Sequence, residues 1–431
     1  MTEVIEKTEN KKGYKKTKLG WIPEDWDVVK FKDIGQSIIG LTYSPKDIVP
    51  SGLLVLRSSN IKNSKIVYDD NVYVNKSIPN KLITKQNDIL MCVRNGSKNL
   101  VGKSALIKKE NEGHTFGAFM SILRSEYSAY LYQFLQSSYA QKQYTGATSA
   151  TINQITSKDL DLLLLTFPKI QEQEKISEIL SAWDEGIETL EKLIEQKEIF
   201  HKALMKNLLV GKKRLAEFSK NSEYKRTRLG TIPADWQIKP LKLLFDKRMQ
   251  KYSGNTEHNI FTNSATKGVV LQNEYFDRSI VTEENTSNYY VVEENDFMYN
   301  PRISQSAPAG PINRNKLGIT GIASPLYTIF KAKHNTIIDF YEQYFSSNLW
   351  NNSMFMVANQ GARHDRLNIT SNDFMNMPLP YPPIEEQKKI ANILIESYKE
   401  IQLLNSKLEK LKEQKKGLMQ KLLTGQIRVK V

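Results

Sequence analysis

The sequence has 431 residues and a formal net charge of +14 at pH 7, from 61 Lys and Arg against 47 Asp and Glu. This length allows two or more domains, each with its own core, and the charge favours a polyanionic partner. The single cysteine, Cys92, excludes an internal disulfide framework and indicates a reducing compartment. No apolar run approaches a membrane span and the lysine-rich start is unlike a signal peptide, so we expect a cytoplasmic protein without membrane segments.

The first residues of the chain are basic. Residues 1–18 are rich in lysine and contain almost nothing that could be buried. We predict a flexible basic arm. It either contacts the polyanionic partner or is simply solvated, and the sequence leaves both alternatives open.

An eight-residue signature opens each half of the chain. Leu19–Trp26 reads LGWIPEDW, and Leu229–Trp236 reads LGTIPADW, 210 positions later. Each half then closes with a long helical pattern. The chain is therefore predicted to be an internal duplication in the order domain, helix, domain, helix. A basic linker with seven Lys and Arg, residues 211–228, joins the two halves.

The domain interiors, residues 27–167 and 237–381, contain short β-branched and aromatic runs separated by Asn, Ser, Gly and Pro. Such runs predict strands joined by loops. The predicted strands are Leu53–Leu56, Ile66–Tyr68, Ile89–Val93, Ala118–Leu123, Asp161–Phe167, Tyr289–Val292 and Phe374–Tyr381. A short amphipathic helix is predicted near Tyr130–Tyr139 and another near Phe340–Trp350. The predicted fold class is α+β, with two mixed α/β globular domains.

Each half ends in one long helix, Gln171–Leu209 and Glu385–Leu423. Proline precedes the first turn, acids lie in that turn, and glycine follows the last turn, as expected at helix boundaries. Apolar residues recur in steps of three and four, which predicts a heptad seam. The seam residues are Ile176, Leu180, Trp183, Ile187, Leu190, Ile194, Leu204, Leu208, Ile390, Leu394, Ile401, Leu404, Leu408, Leu411, Leu418 and Leu422. Polar residues interrupt the seam at Lys197, His201, Ser397 and Lys415.

The two seams must be buried against something. Ile176 and Ile390 are 214 positions apart, as are Gly211 and Gly425, so the helices are equivalent. A helix of this size is roughly 58 Å long at about 1.5 Å per residue, and the nearest equivalent seam belongs to the other copy. We predict that the two long helices pair antiparallel as a coiled-coil spacer, which relates the domains by a pseudo-two-fold axis. The alternative is that each helix packs on its own domain.

Motifs for catalysis are absent from the sequence. There is no Gly-x-x-x-x-Gly-Lys-Ser/Thr phosphate loop, which argues against ATP hydrolysis by this chain. The adenine-methylating motif Asn/Asp-Pro-Pro-Tyr/Phe is also missing. The five histidines and Cys92 show no metal-ligand spacing, and no carboxylate pair has nuclease spacing. We expect the chain to bind and position, without a metal or cofactor of its own.

Three motifs, each present twice and in the same order, resemble the specificity subunit of type I DNA restriction-modification systems. They are the signatures at Leu19–Trp26 and Leu229–Trp236, the Asn-Asp-Ile-Leu and Asn-Asp-Phe-Met strand starts at 87–90 and 295–298, and the Pro-x-x-Glu/Gln-Glu-Gln-x-Lys-Ile entry to each long helix. The resemblance covers nearly the whole chain. It implies two target-recognition domains that each read one half of a split site in double-stranded DNA, with the antiparallel helices acting as a ruler.

The same resemblance implies partners and cofactors. Two methyltransferase subunits would dock on the helices, and nuclease and translocase subunits would join for cleavage. S-adenosylmethionine, ATP and Mg are expected in those subunits rather than in this chain. Alternatives remain: a specificity subunit of a methyltransferase that has no nuclease, an enzyme with an unrecognised site such as a nuclease with scattered acids, or a basic coiled-coil scaffold that binds nucleic acid without sequence preference.

The predicted boundaries follow from the repeats. They are a basic arm at 1–18, a first target-recognition domain at 19–170, a first spacer helix at 171–210, a basic linker at 211–228, a second target-recognition domain at 229–383, a second spacer helix at 384–425 and a tail at 426–431.

Candidate DNA contacts are taken from predicted loops, because phosphates and base edges are bound by Lys, Arg and small polar side chains. In the first domain they are Arg57, Ser58, Ser59, Asn60, Arg94, Asn95, Ser97, Lys98, Asn99, Lys103, Thr145, Thr148 and Ser149. In the second domain they are Asn263, Thr266, Lys267, Arg302, Ser304, Gln305, Ser306, Gln360, Arg363, His364, Asp365 and Arg366. The densest group is 363–366, which a salt-bridged turn would also explain. No base contact follows from the family resemblance, because these loops diverge within the family.

Overall fold

The structure is a computed structural model of the chain, and it describes residues 12–147, 153–219, 223–254, 258–275, 286, 288–358 and 365–431, with the side chains of 145–147 left undefined. It divides into two compact units. The first unit is Met1–Glu191 with Ser406–Val431, and the second is Lys192–Asn405. Each unit therefore contains one globular domain and one half of each long helix.

The first half of the chain supplies fourteen strands and four helices among the described residues. The strands are β1 Tyr14–Thr17, β2 Gly20–Pro23, β3 Asp27–Lys30, β4 Gly35–Ile39, β5 Ile48–Val49, β6 Leu53–Leu56, β7 Ile61–Lys62, β8 Lys65–Ile66, β9 Tyr73–Val74, β10 Ile89–Cys92, β11 Ser104–Leu106, β12 Thr115–Phe116, β13 Met120–Ser125 and β14 Leu164–Phe167. The helices are α1 Ser128–Leu135, α2 Ser138–Ala147, α3 Ser157–Asp161 and α4 Ile170–Leu208.

The second half has a similar order of elements, with twelve strands and six helices among its described residues. The strands are β15 Tyr224–Thr227, β16 Gly230–Pro233, β17 Gln237–Pro240, β18 Phe245–Lys247, β19 Ile260–Ser264, β20 Gly268–Leu271, β21 Tyr290–Val292, β22 Phe297–Tyr299, β23 Ile312–Arg314, β24 Gly321–Ala323, β25 Thr328–Ala332 and β26 Pro378–Tyr381. The helices are α5 Leu241–Leu244, α6 Gln272–Tyr275, α7 Ile338–Ser346, α8 Asn351–Val357, α9 Ser371–Met375 and α10 Ile384–Leu423.

The central sheet of each domain has the same antiparallel topology. Its order is β11-β10-β13-β4 in the first domain and β23-β22-β25-β18 in the second. The strand β10 is buried along its whole length, with Ile89 and Met91 in one apolar cluster and Leu90 and Cys92 in another. Successive side chains of a strand point to opposite faces, so a continuous apolar run fits a sheet that is covered on both sides.

A second sheet differs between the domains around a shared parallel pair. β6 pairs with β12, and β19 pairs with β24, in parallel in both cases. In the first domain β9 and β5 extend this pair beyond β6, whereas in the second β20 flanks β19 and β21 flanks β24. The frame of the duplication is therefore kept while its outer strands are rebuilt.

The turn before the central strand has the same backbone conformation in the two copies. Asn87 and Asn295 both adopt a φ of 69°, a left-handed conformation that asparagine tolerates. The next residue is a buried aspartate in each copy. Asp88 pairs with Arg124 of β13 at 2.6 Å, while Asp296 pairs at 2.6 Å with Arg248, which follows β18. The buried aspartate is at the same position in both copies, but the arginine that binds it lies in β13 in the first domain and directly after β18 in the second.

The long helices run antiparallel within each unit. In the first unit Asp184 of α4 contacts Lys415 of α10, and the later residue Glu191 contacts the earlier residue Lys412 at 3.0 Å. In the second unit Lys197 meets Glu400 at 2.7 Å, and His201 meets Ser397 at 3.1 Å. The polar residues that interrupt the predicted seam therefore have cross-helix partners, and these contacts fix the register of the pair.

The predicted seam residues are all at least half-buried. The buried ones are Ile176, Leu180, Leu190, Ile194, Leu208, Ile390, Leu394, Ile401, Leu408 and Leu422, and the half-buried ones are Trp183, Ile187, Leu204, Leu404, Leu411 and Leu418. At the helix ends the seam merges with the domain cores. Ile176 and Leu422 share one apolar cluster, and Leu208 and Ile390 share another. The predicted antiparallel pairing is thus observed in each unit, and the ends of the seam also pack on the domain cores.

Three expectations need correction. Residues 14–17 are not a flexible arm, because β1 pairs with β2 and the Tyr14 hydroxyl donates to the Gly425 carbonyl at 2.8 Å. The basic linker contains β15, which pairs with β16 in the same way. The strands predicted from Asp161 and Phe374 are shorter and are preceded by α3 and α9, which are capped by Thr156 and Thr370. Residues 1–11 of the predicted arm lie outside the described residues.

Candidate nucleic-acid interface and helix anchors

A buried carboxylate at the start of α4 anchors the first unit. Glu172 accepts a hydrogen bond from the indole N–H of Trp26 at 3.0 Å and from Arg428 Nε at 2.7 Å. Arg428 also donates two hydrogen bonds of 2.9 Å to Asp25. These contacts raise the pKa of the Arg428 guanidinium, and the hydrogen bonds from Arg428 lower the pKa of the Asp25 carboxyl. The signature tryptophan, the helix start and the end of the chain are thereby joined.

The second unit repeats the anchor with equivalent residues. Glu386 at the start of α10 accepts from Trp236 at 3.0 Å and from Arg214 at 2.7 and 2.9 Å. Arg214 also donates to Asp235 at 2.8 and 3.1 Å. Each anchoring arginine follows the end of one long helix and binds the start of the other. The duplicated signature is therefore a structural element that holds the helix ends.

Glycine is required where each helix ends at its anchor. Gly211 and Gly425 have a φ of 68°, and a Cβ there would lie 2.5 Å from Pro233 and 2.3 Å from Pro23, respectively. No other residue fits so close to the signature proline. The helix stop and the domain signature are thus one packed unit in each half.

Two of the predicted DNA-contacting loops of the first domain lie together. The Asn95 amide donates to the Ser58 hydroxyl at 3.2 Å, and Lys103 Nζ donates to the Ser58 carbonyl at 3.5 Å. Arg94 forms an antiparallel bridge with Gln154, so residues 153–155 join the same surface. Arg94, Ser97, Lys98 and Asn99 are exposed, whereas Arg57, Ser58, Ser59, Asn95 and Lys103 are half-buried.

The corresponding surface of the second domain is built at the same place. Arg302 follows β22 as Arg94 follows β10, and it bridges to Arg366. Ile303 N donates to the Asp365 carbonyl at 3.1 Å, which joins the loop after β22 to residues 365–367. The exposed candidates of this domain are Thr266, Lys267, Arg302, Ser304, Gln305, Ser306 and Asp365, and Arg366 is half-buried.

Two candidates are wrong, because their side chains are buried and occupied. Asn60 is fully buried: its Oδ1 accepts from Arg57 N at 2.9 Å and its Nδ2 donates to the Val67 carbonyl at 3.0 Å. Asn263 Nδ2 donates to the carbonyls of Met298 and Pro311 at 2.6 and 3.0 Å. The Asn60 amide closes a short turn, whereas Asn263 lies inside strand β19 and its amide binds carbonyls of neighbouring segments. Buried polar groups must find hydrogen-bond partners, and nothing in the local sequence shows that these two are buried.

Five candidates and one side chain lie outside the described residues. They are Thr148, Ser149, Gln360, Arg363 and His364, together with the side chain of Thr145. The dense group at 363–366 is therefore represented by Asp365 and Arg366 alone, which form a salt bridge of 3.4 Å.

Sequence reasoning missed an apolar part of the first surface. Phe119, in the turn before β13, is 56% exposed, and Ile39, at the end of the edge strand β4, is 52% exposed. The Arg94 guanidinium carbon lies 5.2 Å from the centre of the Phe119 ring. Phe119 lies inside an apolar run that predicts a buried strand, so no periodicity in the sequence marked it as exposed.

Neither a metal-binding cluster nor a membrane-spanning helix is found in the part of the chain that the structure describes. No group of three His, Cys, Asp or Glu side chains there could hold a metal ion. No helix within the described residues is long and apolar enough to cross a bilayer. The candidate site is thus a pair of basic, polar loop surfaces.

This arrangement defines a class of protein: two copies of one α+β domain, each with a polar surface at the end of its central strand, joined by long antiparallel helices. A model of the family described as "Type I restriction modification DNA specificity domain" matches residues 23–198 and 233–413. The chain belongs to this family and carries two copies of its domain. The resemblance seen in the sequence motifs is thereby confirmed.

Curated relatives agree with the family over nearly their whole length. One from Methanocaldococcus jannaschii, provisionally named type I restriction enzyme MjaX specificity subunit, is 29% identical over 97% of this chain and 97% of its own. The type I restriction enzyme EcoKI specificity subunit of Escherichia coli K12 is 25% identical over 86% of this chain and 82% of its own.

A solved structure shares the fold. The S subunit of a type I restriction-modification system from M. genitalium has a TM-score of 0.54 at 16% identity and covers 92% of this chain and 96% of its own. The predicted fold class, two α+β domains with an antiparallel helix pair, is confirmed.

Proposed function

We propose that this chain selects the DNA sequence for a type I restriction-modification complex, with each domain binding one half of a bipartite site. The observation that carries the proposal is the equivalence of Arg94 and Arg302, which follow the central strands β10 and β22 of two copies of one sheet. Two such surfaces on one chain suit two separate DNA segments.

The chemistry of the two surfaces suits duplex DNA but differs between the domains. Lys98 and Lys267 are exposed beside hydroxyl and amide side chains, and such groups bind phosphates and base edges. The first surface adds the aromatic ring of Phe119, whereas the second has two arginines, Arg302 and Arg366, on backbone segments joined by a β-bridge. Two different surfaces on one frame support the reading of two different half-sites.

The long helices are proposed to set the distance between the half-sites. Each is continuous over 39 or 40 residues. A continuous helix is much stiffer than a flexible linker, and the cross-helix contacts in each unit hold the register of the pair. The unread gap in the DNA site would then be a property of helix length.

The second unit offers an uncovered helical surface for a partner. Large apolar side chains are exposed there on both long helices: Leu193, Ile199, Phe200, Tyr398 and Leu403. Leu193 and Phe200 are seven residues apart, so they lie on one face of α4. We propose that this face docks a methyltransferase subunit. The counterparts of Leu193, Ile199 and Phe200 in the first unit, 214 positions on, are Lys407, Glu413 and Gln414, so a second docking face would be more polar.

The chemistry is proposed to reside in the partners, in the cytoplasm. Methyl transfer with S-adenosylmethionine would come from the methyltransferase subunits, and ATP- and Mg-dependent cleavage from nuclease and translocase subunits. This chain would determine which bases of the DNA are modified.

Domain exchange tests the proposal. Residues 237–381 are replaced by the equivalent segment of another family member, and the hybrid is assembled with the methyltransferase. We expect one half of the methylated site to change and the other half and the gap to stay. The matched exchange of residues 27–167 should change the opposite half. If either hybrid altered both halves, or if wild type bound all sequences equally, modular reading would be rejected.

Docking is tested with a matched pair of substitutions at equivalent positions. Phe200→Glu places a charge in the apolar face, and Gln414→Glu places the same charge in its polar counterpart. Burying a Phe side chain is worth about 1.5–3 kcal/mol. Phe200→Glu should therefore lower the binding affinity for one of the two methyltransferase copies by about tenfold or more. Sedimentation of the mixed complex measures the stoichiometry. Equal effects of both substitutions would contradict docking on this face.

A further inference from the structure

Arg94 differs from the other arginines of the first unit in having no carboxylate partner among the described residues. Arg57 pairs with Asp70 at 2.8 Å, Arg124 with Asp88, and Arg428 with Glu172. Arg94 is exposed just after the end of β10 and makes no such pair among the described residues. The guanidinium charge and the five N–H donors of Arg94 are therefore not engaged by a carboxylate of the described residues, as those of the other three arginines are.

A ring and the backbone hold Arg94 in place instead. Its guanidinium carbon is 5.2 Å from the centre of the Phe119 ring, within cation–π range. The Phe119 carbonyl accepts from Arg94 N at 3.2 Å and from Val93 N at 2.9 Å. An arginine stacked on an aromatic face keeps the edge of its planar fork free for hydrogen bonding. The side chain is thus pre-oriented at a position that loses little entropy on binding.

The ring and its neighbours form the wall of a shallow cavity of about 220 Å³. Ile39, Phe119 and Leu160 provide apolar atoms, and Arg94 and Gln154 provide polar ones. Ile39 and Phe119 are both more than half exposed and both line this cavity, so their apolar surface is contiguous with the arginine. A phosphate would match the arginine but not the apolar wall. A base pair edge matches both.

We propose that Arg94 and Phe119 form a base-reading unit of the first domain. Arg94 donates to O6 and N7 of a guanine, the commonest specific arginine contact in the major groove, and the apolar wall formed by Phe119 and Ile39 packs on the C5 methyl group of a neighbouring thymine. This inference rests on the proposed function and deepens it by naming two adjacent bases of one half-site. Among the described residues, Arg302, the counterpart of Arg94, likewise has no salt bridge, and no aromatic ring lies against it.

The test uses the complex of this chain with its methyltransferase, after the wild-type site has been mapped. In duplexes carrying that site, each guanine of the first half is replaced by 7-deazaguanine and each thymine by uracil, one at a time. At one guanine we expect wild type to lose about 5- to 150-fold in affinity, as a bidentate base contact predicts. Arg94→Ala should lose affinity for the natural site and become insensitive to that replacement. Phe119→Ala should become insensitive to one thymine replacement beside it.

Arg302→Ala is the matched control, because it should leave the sensitivity of the first half-site unchanged. Arg94→Lys should keep affinity from charge but lose the preference for guanine. Melting temperatures within a few degrees of wild type exclude unfolding as the cause. Unchanged sensitivity to every base replacement in Arg94→Ala would overturn the inference, and so would an equal loss at all sequences, which indicates a phosphate contact only. The proposed function would fail separately, if wild type methylated no split site at all.

Discussion

Arg428 binds Glu172 at 2.7 Å, although the two residues are 256 positions apart in the sequence. The contact ties the end of the second long helix to the start of the first, and Arg214 and Glu386 repeat it in the other unit. A buried carboxylate that loses its arginine remains desolvated and unpaired, which is costly. The two anchors therefore predict unequal consequences for the same substitution, because Arg214 is 4% exposed and Arg428 is 44% exposed.

We expect Arg214→Met to destabilise the second unit by about 3 kcal/mol, near the usual cost of breaking a buried pair. Arg428→Met should destabilise the first unit by about 1 kcal/mol, because water screens the more exposed arginine. Hydrogen exchange at the starts of α10 and α4 measures each unit separately. Equal loss of protection in the two variants would contradict this account of the anchors.

The cross-helix pair Lys197 and Glu400 predicts a charge-reversal result. Lys197→Glu places two carboxylates side by side and should destabilise the helix pair by about 1 kcal/mol, since half-exposed pairs are worth about 0.2–1 kcal/mol. The double variant Lys197→Glu with Glu400→Lys should recover most of this loss. Urea unfolding of the four proteins gives the coupling energy. A coupling energy of zero would remove this pair from the set that fixes the register.

His201 predicts a pH dependence of the second unit. Burial lowers the pKa of its imidazole below 6.5, while the unfolded chain keeps the ordinary value. The unfolded state then binds the proton more readily, so this contribution to stability is complete above the unfolded-state pKa of about 6.5 and is lost as the pH falls from there through the lower folded-state pKa. His201→Gln keeps a hydrogen-bonding group near Ser397 and cannot titrate. We expect a smaller drop in melting temperature from pH 7 to pH 5 for the variant. An identical drop would contradict the prediction.

Helix length predicts the length of the unread gap. Seven residues inserted after Glu195 and after its counterpart Glu409 keep the heptad pattern in both helices. The insertion adds about 10 Å at about 1.5 Å per residue. That distance is about three base pairs, so the methylated site should keep both halves and gain a longer gap. Insertion into one helix alone is the control and should abolish pairing. A gap of unchanged length would reject the helix ruler.

The parts of the fold that repeat were the parts that the sequence could predict. The long helices were placed within one residue of Ile170–Leu208 and Ile384–Leu423, because proline, acids and glycine mark their ends and the seam is periodic. Leu53–Leu56 and Ile89–Cys92 were also placed correctly or nearly so, since short apolar runs bounded by turn residues read clearly as strands.

The candidate site was harder to predict, because burial in loops depends on tertiary contacts. Asn60 and Asn263 look like surface amides in the sequence but are buried and hydrogen-bonded inside the domains, and Phe119 looks like a core residue but is exposed. The anchoring role of Arg214 and Arg428 was also missed. They lie in basic stretches, and nothing local shows that each binds a carboxylate 172 or 256 positions away. Only the pairing of helix ends across the duplication creates these sites.

The most direct test of a bipartite reader is a map of methylated adenines in the genome of the source cell, with and without this gene. The account predicts that deletion removes methylation from one motif only, made of two defined parts separated by a fixed number of unspecified base pairs. Methylation that is unchanged on deletion, or that is lost from a single uninterrupted motif, would contradict it.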